Sequence, residues 1–261
     1  MHYGKLADKI RRGERIFGTM ITSMSPVWPE KLKEAGLDFV FLDTEHHPAD
    51  RVQLSYLYKA YDAARLPALT RIPTPDPCWA TMALDAGSAG ILAPYIESAD
   101  EVRALAGAVK YRPLKGKRLR DVLENKIQLS QNESEYLSEY NRNRFLFINV
   151  ESAEAIDRLD EMLAVPGLDG VIIGPHDLSI SLSVPEQYDA PVFLAAVEGI
   201  IQKTLAHGKM VGNHFSFGIE QELNWVRTGM NVVLHSSDFA LFFQALRADF
   251  TRLREAGNEI F

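Results

Sequence analysis

Glu151 closes the apolar run Phe145–Val150, and Asp177 follows the run Gly170–Ile173 across a short turn. If those runs are neighbouring parallel strands about 4.8 Å apart, their carboxylates converge on one point. Two carboxylates with no cysteine beside them suit a hard divalent cation such as Mg²⁺ or Mn²⁺, with the remaining positions left to water and substrate oxygens. The same placement suits two acids that cap the helices following them, and on spacing alone the two readings are level. Arg71, at the end of another apolar run and before Ile72-Pro73, could neutralise a carboxylate or a developing enolate, or pair with a rim acid. Asp43 and His46 share one short loop, Asp43-Thr44-Glu45-His46-His47, and an imidazole suits proton transfer near neutrality. His47, without a companion, reads as facing solvent. Asp85, in the stretch Met82 to Gly90, either orients an imidazole or solvates a helix end before Gly87. The turn Gly174-Pro175-His176-Asp177 opens a helix and presents backbone N–H groups suited to a carboxylate, or is simply capped by Asp177.

Such residues act together only if one fold brings them to one rim. Short apolar runs alternate with amphipathic stretches throughout the chain, which is the pattern of βα units. Strands are expected at Ile16–Ile21, Phe39–Leu42, Ala68–Ile72, Gly90–Pro94, Phe145–Val150, Gly170–Ile173, Met210–Gly212 and Val232–Leu234. Helices are expected near 28–35, 51–64, 76–86, 98–109, 152–164, 191–207, 217–228 and 238–256. A long insertion at about 110–144 carries a helix of its own near 132–141. Eight such units predict one closed (β/α)8 barrel spanning residues 1–261, with an open doubly wound sheet as the alternative. In a barrel the chemistry gathers just beyond the C-terminal ends of the strands. Those positions hold Asp43 to His47, Arg71, Tyr95, Glu151, Gly174 to Asp177, Asn213-His214 and His235-Ser236.

Composition narrows the partners. The 261 residues carry a formal charge of −7, and no basic cluster marks a nucleic-acid surface. The single cysteine, Cys78, rules out an internal disulfide framework. The N-terminal residues form no apolar leader and no long apolar run follows, so a cytoplasmic protein with no membrane contact is expected. No strand run contains a lysine, which argues against Schiff-base chemistry inside a barrel.

Leu42-Asp43-Thr44-Glu45-His46-His47-Pro48, Thr70-Arg71-Ile72-Pro73, Leu84-Asp85-Ala86-Gly87, Asn149-Val150-Glu151-Ser152 and Gly174-Pro175-His176-Asp177-Leu178-Ser179, in that order, resemble the HpcH/HpaI aldolase/citrate lyase family. The resemblance implies a TIM barrel of the phosphoenolpyruvate/pyruvate type. It also implies a class II aldolase that joins or splits pyruvate, as its enolate, and an aldehyde, in 2-keto acid, sugar-acid or aromatic catabolism. One divalent ion per chain (Mg²⁺, Mn²⁺ or Co²⁺) would be held by Glu151 and Asp177. Arg71 would stabilise the enolate, His46 would act as acid/base with Asp85 orienting it, and Asp43 would hold water on the metal. The backbone of Gly174, Pro175, His176 and Asp177 would receive the pyruvate carboxylate. A homohexamer with exchanged C-terminal helices is the assembly implied. The chain departs from the family pattern at Thr44, Asn149 and His176 and along Lys117 to Glu124, a loop on the acceptor side of the family's pocket. Two alternatives remain. One is a related metal-enolate lyase, working on a thioester as citrate-lyase relatives do or by decarboxylation as macrophomate-synthase relatives do. The other is a non-catalytic binding barrel.

Overall fold

The computed structural model describes residues 3–216 and 218–258, and eight parallel strands close into a barrel in sequence order. They are β1 (Ile16–Ile21), β2 (Phe39–Asp43), β3 (Ala68–Arg71), β4 (Gly90–Ala93), β5 (Phe145–Val150), β6 (Gly170–Ile173), β7 (Met210–Phe215) and β8 (Val232–Ser237). The first half of the helical layer is α1 (Gly4–Arg11), α2 (Trp28–Leu32), α3 (Arg51–Ala63), α4 (Pro77–Ala86) and α5 (Ala99–Lys110). The insertion then supplies α6 (Gly116–Leu123) and α7 (Gln131–Asn141). After it come α8 (Ala153–Asp157), α9 (Leu159–Leu163), α10 (Pro175–Ser181), α11 (Pro191–Ala206), α12 (Ile219–Arg227) and α13 (Asp238–Asn258).

Alternation along each strand divides the apolar residues between two cores. One cluster takes a residue from every strand, among them Ile16, Phe39, Leu69, Leu92, Phe147, Ile172, Met210 and Leu234, and so fills the barrel interior. Tyr3, the N-cap of α1, and Leu6, Ala7 and Ile10 within it belong to the same cluster, so α1 plugs the N-terminal end. The outward-facing set, including Leu146, Ile148, Val171 and Val211, packs beneath the helices. Strand residues buried on both faces explain why β2, β4, β5 and β6 contain no exposed position.

The expected strands hold, with two shifts that matter at the mouth. β7 and β8 run three residues further than apolar content alone indicates, reaching Phe215 and Ser237. Asn213, His214, His235 and Ser236 are therefore strand residues rather than loop residues. The expected helix near 217–228 begins at Ile219, and Phe217 lies outside the described residues, as do Met1, His2 and 259–261. Within the insertion, the helix expected near 132–141 is α7, opened by a capping box between Ser130 and Glu133. Helix α6 was not anticipated. Its Leu119 and Leu123, one turn apart, sit over Gly107 of α5, the i,i+4 pairing that a helix surface requires.

The last helix begins inside the barrel seam and leaves it. Asp238 is buried and accepts hydrogen bonds from the Thr22 N–H at 3.0 Å, the Thr22 hydroxyl at 2.9 Å and the Ser23 N–H at 3.0 Å. From Leu241 to Ala256 every residue of α13 is exposed, phenylalanines included. No helix among the described residues is long and apolar enough to cross a membrane.

Candidate active site at the barrel mouth

Parallel register places the first pair. Asp43 ends β2 directly opposite Arg71 at the end of β3, and both side chains turn into the mouth. Arg71 donates from Nε to Asp43 Oδ1 and from Nη2 to Oδ2, each at 2.8 Å. Asp43 also accepts the Glu45 N–H at 3.0 Å, and His47 Nδ1 lies 3.1 Å from its Oδ2. Burial alone would raise the Asp43 carboxyl, but the hydrogen bonds and charge of Arg71, with the Glu45 N–H and His47, bring it down to about 2. The Arg71 Nε is also 3.0 Å from the buried Glu45 Oε2, and its guanidinium stands 5.7 Å from the centre of the Phe41 ring.

Glu151 follows β5 and is buried, 7% exposed. Its Oε1 accepts the Tyr95 N–H at 2.8 Å, and Tyr95 adopts a left-handed φ of 53° just beyond β4, a conformation costly for a side chain this large. Burial pushes the Glu151 carboxyl up to about 7, and the neighbouring charges of Asp177 and Glu45 add to the rise. Room for this carboxylate depends on Gly174, since a Cβ there would stand 2.5 Å from Glu151 Oε2. The capping alternative is filled by other residues. Ser152 caps α8, accepting the Ala155 N–H at 3.1 Å, and Gly174 is the N-cap of α10. Asp177 sits in the first turn of α10, exposed toward the mouth.

Asp43, His46, His47, Arg71, Asn149, Glu151, the turn Gly174 to Asp177, and His214 surround one cavity of about 290 Å³. A divalent cation fits the donors here. A carboxyl raised by burial, with further negative charge beside it, is relieved by a cation, and Asp177 offers a second acid to the same cavity. Asn149 Oδ1, buried and without a hydrogen-bond partner, supplies a further oxygen on this wall. Apart from Asp43, which Arg71 holds, the cavity's carboxylates number two, and no cluster of three or more His, Cys, Asp and Glu side chains forms a cage among the described residues. Such a site leaves coordination positions to water and substrate.

The remaining expected residues divide. His46 lines the cavity but is 58% exposed on its side chain, its Nε2 3.6 Å from Glu45 Oε2. Asp85 does not meet it, because the Asp85 carboxylate pairs with Arg112 at the start of the insertion. Both nevertheless line a second, wider groove of about 1090 Å³ between α3 and α4, which opens beside the mouth. His47, expected to face solvent, instead holds Asp43. His176 is 54% exposed at the cavity edge, 3.7 Å from Glu186. Glu45 and His214 are placed on the rim by the sequence but given no role there. Glu45 had no partner there to give it a role, and His214 was read as a loop residue, when alternation from Met210 places it inside the barrel.

Comparison with known proteins identifies the family. The 2-keto-3-deoxy-L-rhamnonate aldolase of Escherichia coli O157:H7 is 29% identical over 240 residues, covering 92% of this chain and 89% of that protein. The crystal structure of an HpcH/HpaI aldolase from Desulfitobacterium hafniense DCB-2 superposes with a TM-score of 0.83 at 26% identity, over 96% of each chain. A citrate lyase beta subunit from M. tuberculosis, solved with oxaloacetate and magnesium, shares the fold at a TM-score of 0.54 and 16% identity, over 87% of this chain and 93% of that one. The family description HpcH/HpaI aldolase/citrate lyase matches residues 17–245, and the chain belongs to that family of enzymes.

Proposed function

We propose that this enzyme is a class II aldolase acting on pyruvate, or a close 2-keto acid, and an aldehyde, with one Mg²⁺, Mn²⁺ or Co²⁺ per chain. The observation that carries this reading is the meeting of two charge systems in one cavity: Glu151 and Asp177, and Arg71 locked to Asp43. Glu151 and Asp177 hold the cation, whose role is to polarise the keto oxygen and acidify the adjacent methyl group.

The chain's own groups divide the rest of the work. Within the Gly174–Asp177 turn, the Gly174 N–H is used by Val150 O and Pro175 has none. Intrahelical bonding starts with Leu178 N–H to Gly174 O, so the N–H groups of His176 and Asp177 remain for the substrate carboxylate. Arg71, held in place by Asp43, puts fixed positive charge where the enolate develops. His46 takes the methyl proton and returns it to the new hydroxyl oxygen. It is the less constrained of the two imidazoles and stands where the cavity meets the open groove. Asp43 fixes Arg71 and His47 and offers an acceptor to water in the mouth, while Asp85, engaged by Arg112, has no part in the step.

The assembly proposed is a homohexamer in the cytoplasm, with α13 exchanged between copies. The fully exposed apolar run of α13 supports it, because Phe242, Phe243 and Leu253 are 63%, 55% and 65% exposed, an area that isolated chains rarely show to water. The test of function is direct. In deuterated buffer with Mg²⁺, Mn²⁺ or Co²⁺, the protein should exchange the methyl protons of pyruvate, seen by NMR, and a chelator should stop it. Exchange that survives the chelator, or none with any metal, overturns the proposal.

A further inference from the structure

Among the described residues, His214 is the one imidazole turned into the barrel itself. It lies on β7 in register with Leu234, an interior residue of the neighbouring strand, and packs 5.8 Å from the Phe41 ring at an interplanar angle of 52°. Its Nε2 is 3.2 Å from the backbone oxygen of Ser236 on β8. A carbonyl oxygen only accepts, so Nε2 carries the proton. The other nitrogen, Nδ1, is then a bare lone pair. Burial, and Arg71 nearby, push this imidazole down to about 4, so the ring is neutral at physiological pH. It lines the cavity with Met20 and Phe41.

We propose that His214 is a specificity-determining residue whose Nδ1 accepts a hydrogen bond from a hydroxyl group of the aldehyde substrate, selecting 2-hydroxyaldehydes over their deoxy counterparts. The inference rests on the aldolase reading above. A fixed lone pair repels a carboxylate at that spot and gains nothing from a methyl group, whereas a hydroxyl completes it. Met20 and Phe41, which line the cavity with it, are apolar. A site that expects a hydroxyl is penalised by its absence, because the buried acceptor stays unpaired.

The test compares glycolaldehyde with acetaldehyde, and lactaldehyde with propionaldehyde, each with pyruvate and metal, in the wild type and in His214→Leu and His214→Asn. Pyruvate methyl-proton exchange is measured in parallel because it needs no aldehyde. The wild type should prefer the hydroxylated member of each pair by about tenfold or more in kcat/KM, the size of one hydrogen bond. His214→Leu should bring that ratio close to one while exchange stays near wild type. His214→Asn, which can place an amide oxygen near the Nδ1 position, should recover part of the preference. An unchanged ratio in His214→Leu overturns the proposal, and so does a loss of exchange equal to the loss of condensation, which would put His214 on the enolate side. If the wild type exchanges protons but condenses with no aldehyde, the aldolase reading falls and this inference falls with it.

Discussion

Arg71 grips Asp43 through two parallel hydrogen bonds of 2.8 Å, and the register of β2 against β3 sets the two residues opposite each other before any loop is involved. A fork of this kind is specific to a guanidinium. Arg71→Ala strands a buried carboxylate and should cost about 3–5 kcal/mol of stability, read from urea unfolding, in addition to abolishing pyruvate exchange. Arg71→Lys should recover little of either, and a lysine variant with wild-type exchange would show that charge alone suffices.

The same pair gives the protein an acid limit. The Asp43 carboxyl is held at about 2 in the folded chain, below the ordinary 3.8. A depressed acid contributes stability that is complete above its unfolded value and disappears as pH falls through the folded one. The loss attributable to Asp43, about 2 kcal/mol, should therefore fall between pH 4 and pH 2. Asp43→Asn should flatten that segment of a stability-against-pH curve. An equally steep segment in the variant would assign the acid limit to other groups.

Two adjacent histidines should separate kinetically. His46→Ala should lose exchange by about 10²–10⁴-fold, the usual contribution of a general base. His47→Ala should lose less, because it removes one of several partners of Asp43 and leaves the Arg71 fork in place. The reverse order would make His47, already bonded to Asp43, the base.

Cation binding should fail in three ways that report different things. Glu151→Gln and Asp177→Asn each delete a charge and should weaken Mn²⁺ binding by calorimetry at least tenfold, with the circular dichroism spectrum unchanged. Gly174→Ala leaves both acids present but puts a methyl group within 2.5 Å of where Glu151 Oε2 stands. It should weaken binding as much as Glu151→Gln does. Full affinity in the alanine variant would mean that Glu151 points elsewhere when the cation is bound.

Helix α13 should be sticky. Light scattering at micromolar concentration should return a mass well above the 29.3 kDa of one chain, and Phe242→Glu with Leu246→Glu should shift it down. A wild-type monomer would reject the proposed assembly.

Much of this was legible in the residue order. Apolar runs such as Val171-Ile172-Ile173 and Leu146 to Val150 announce doubly buried strands, and Glu151, Asp177 and Arg71 mark the rim because each directly follows or ends such a run. What was obscured follows one physical rule. In the mouth of a barrel, polar side chains belong to the strands themselves, so Asn213, His214 and His235 broke the apolar pattern without ending β7 or β8. The Asp43–His47 contact depends on how a five-residue loop folds back, and Asp85's bond to Arg112 depends on where the insertion returns. Neither has a periodic signature. Helix α6 carried the weak signal of Leu119 and Leu123 amid a run of basic residues that read as loop.

Asp238 joins two jobs that are usually separate. Its carboxylate clasps the exit of β1 at Thr22 and Ser23, while its backbone starts the helix that leaves the molecule. Any torque on α13 is thus delivered to the seam where the first and last strands meet. The terminal helix is mechanically an extension of the staves of the barrel, and not an appendage hung from them. A truncation meant to remove only the helix must therefore leave Asp238 in place, because cutting one residue earlier would also unlatch the seam.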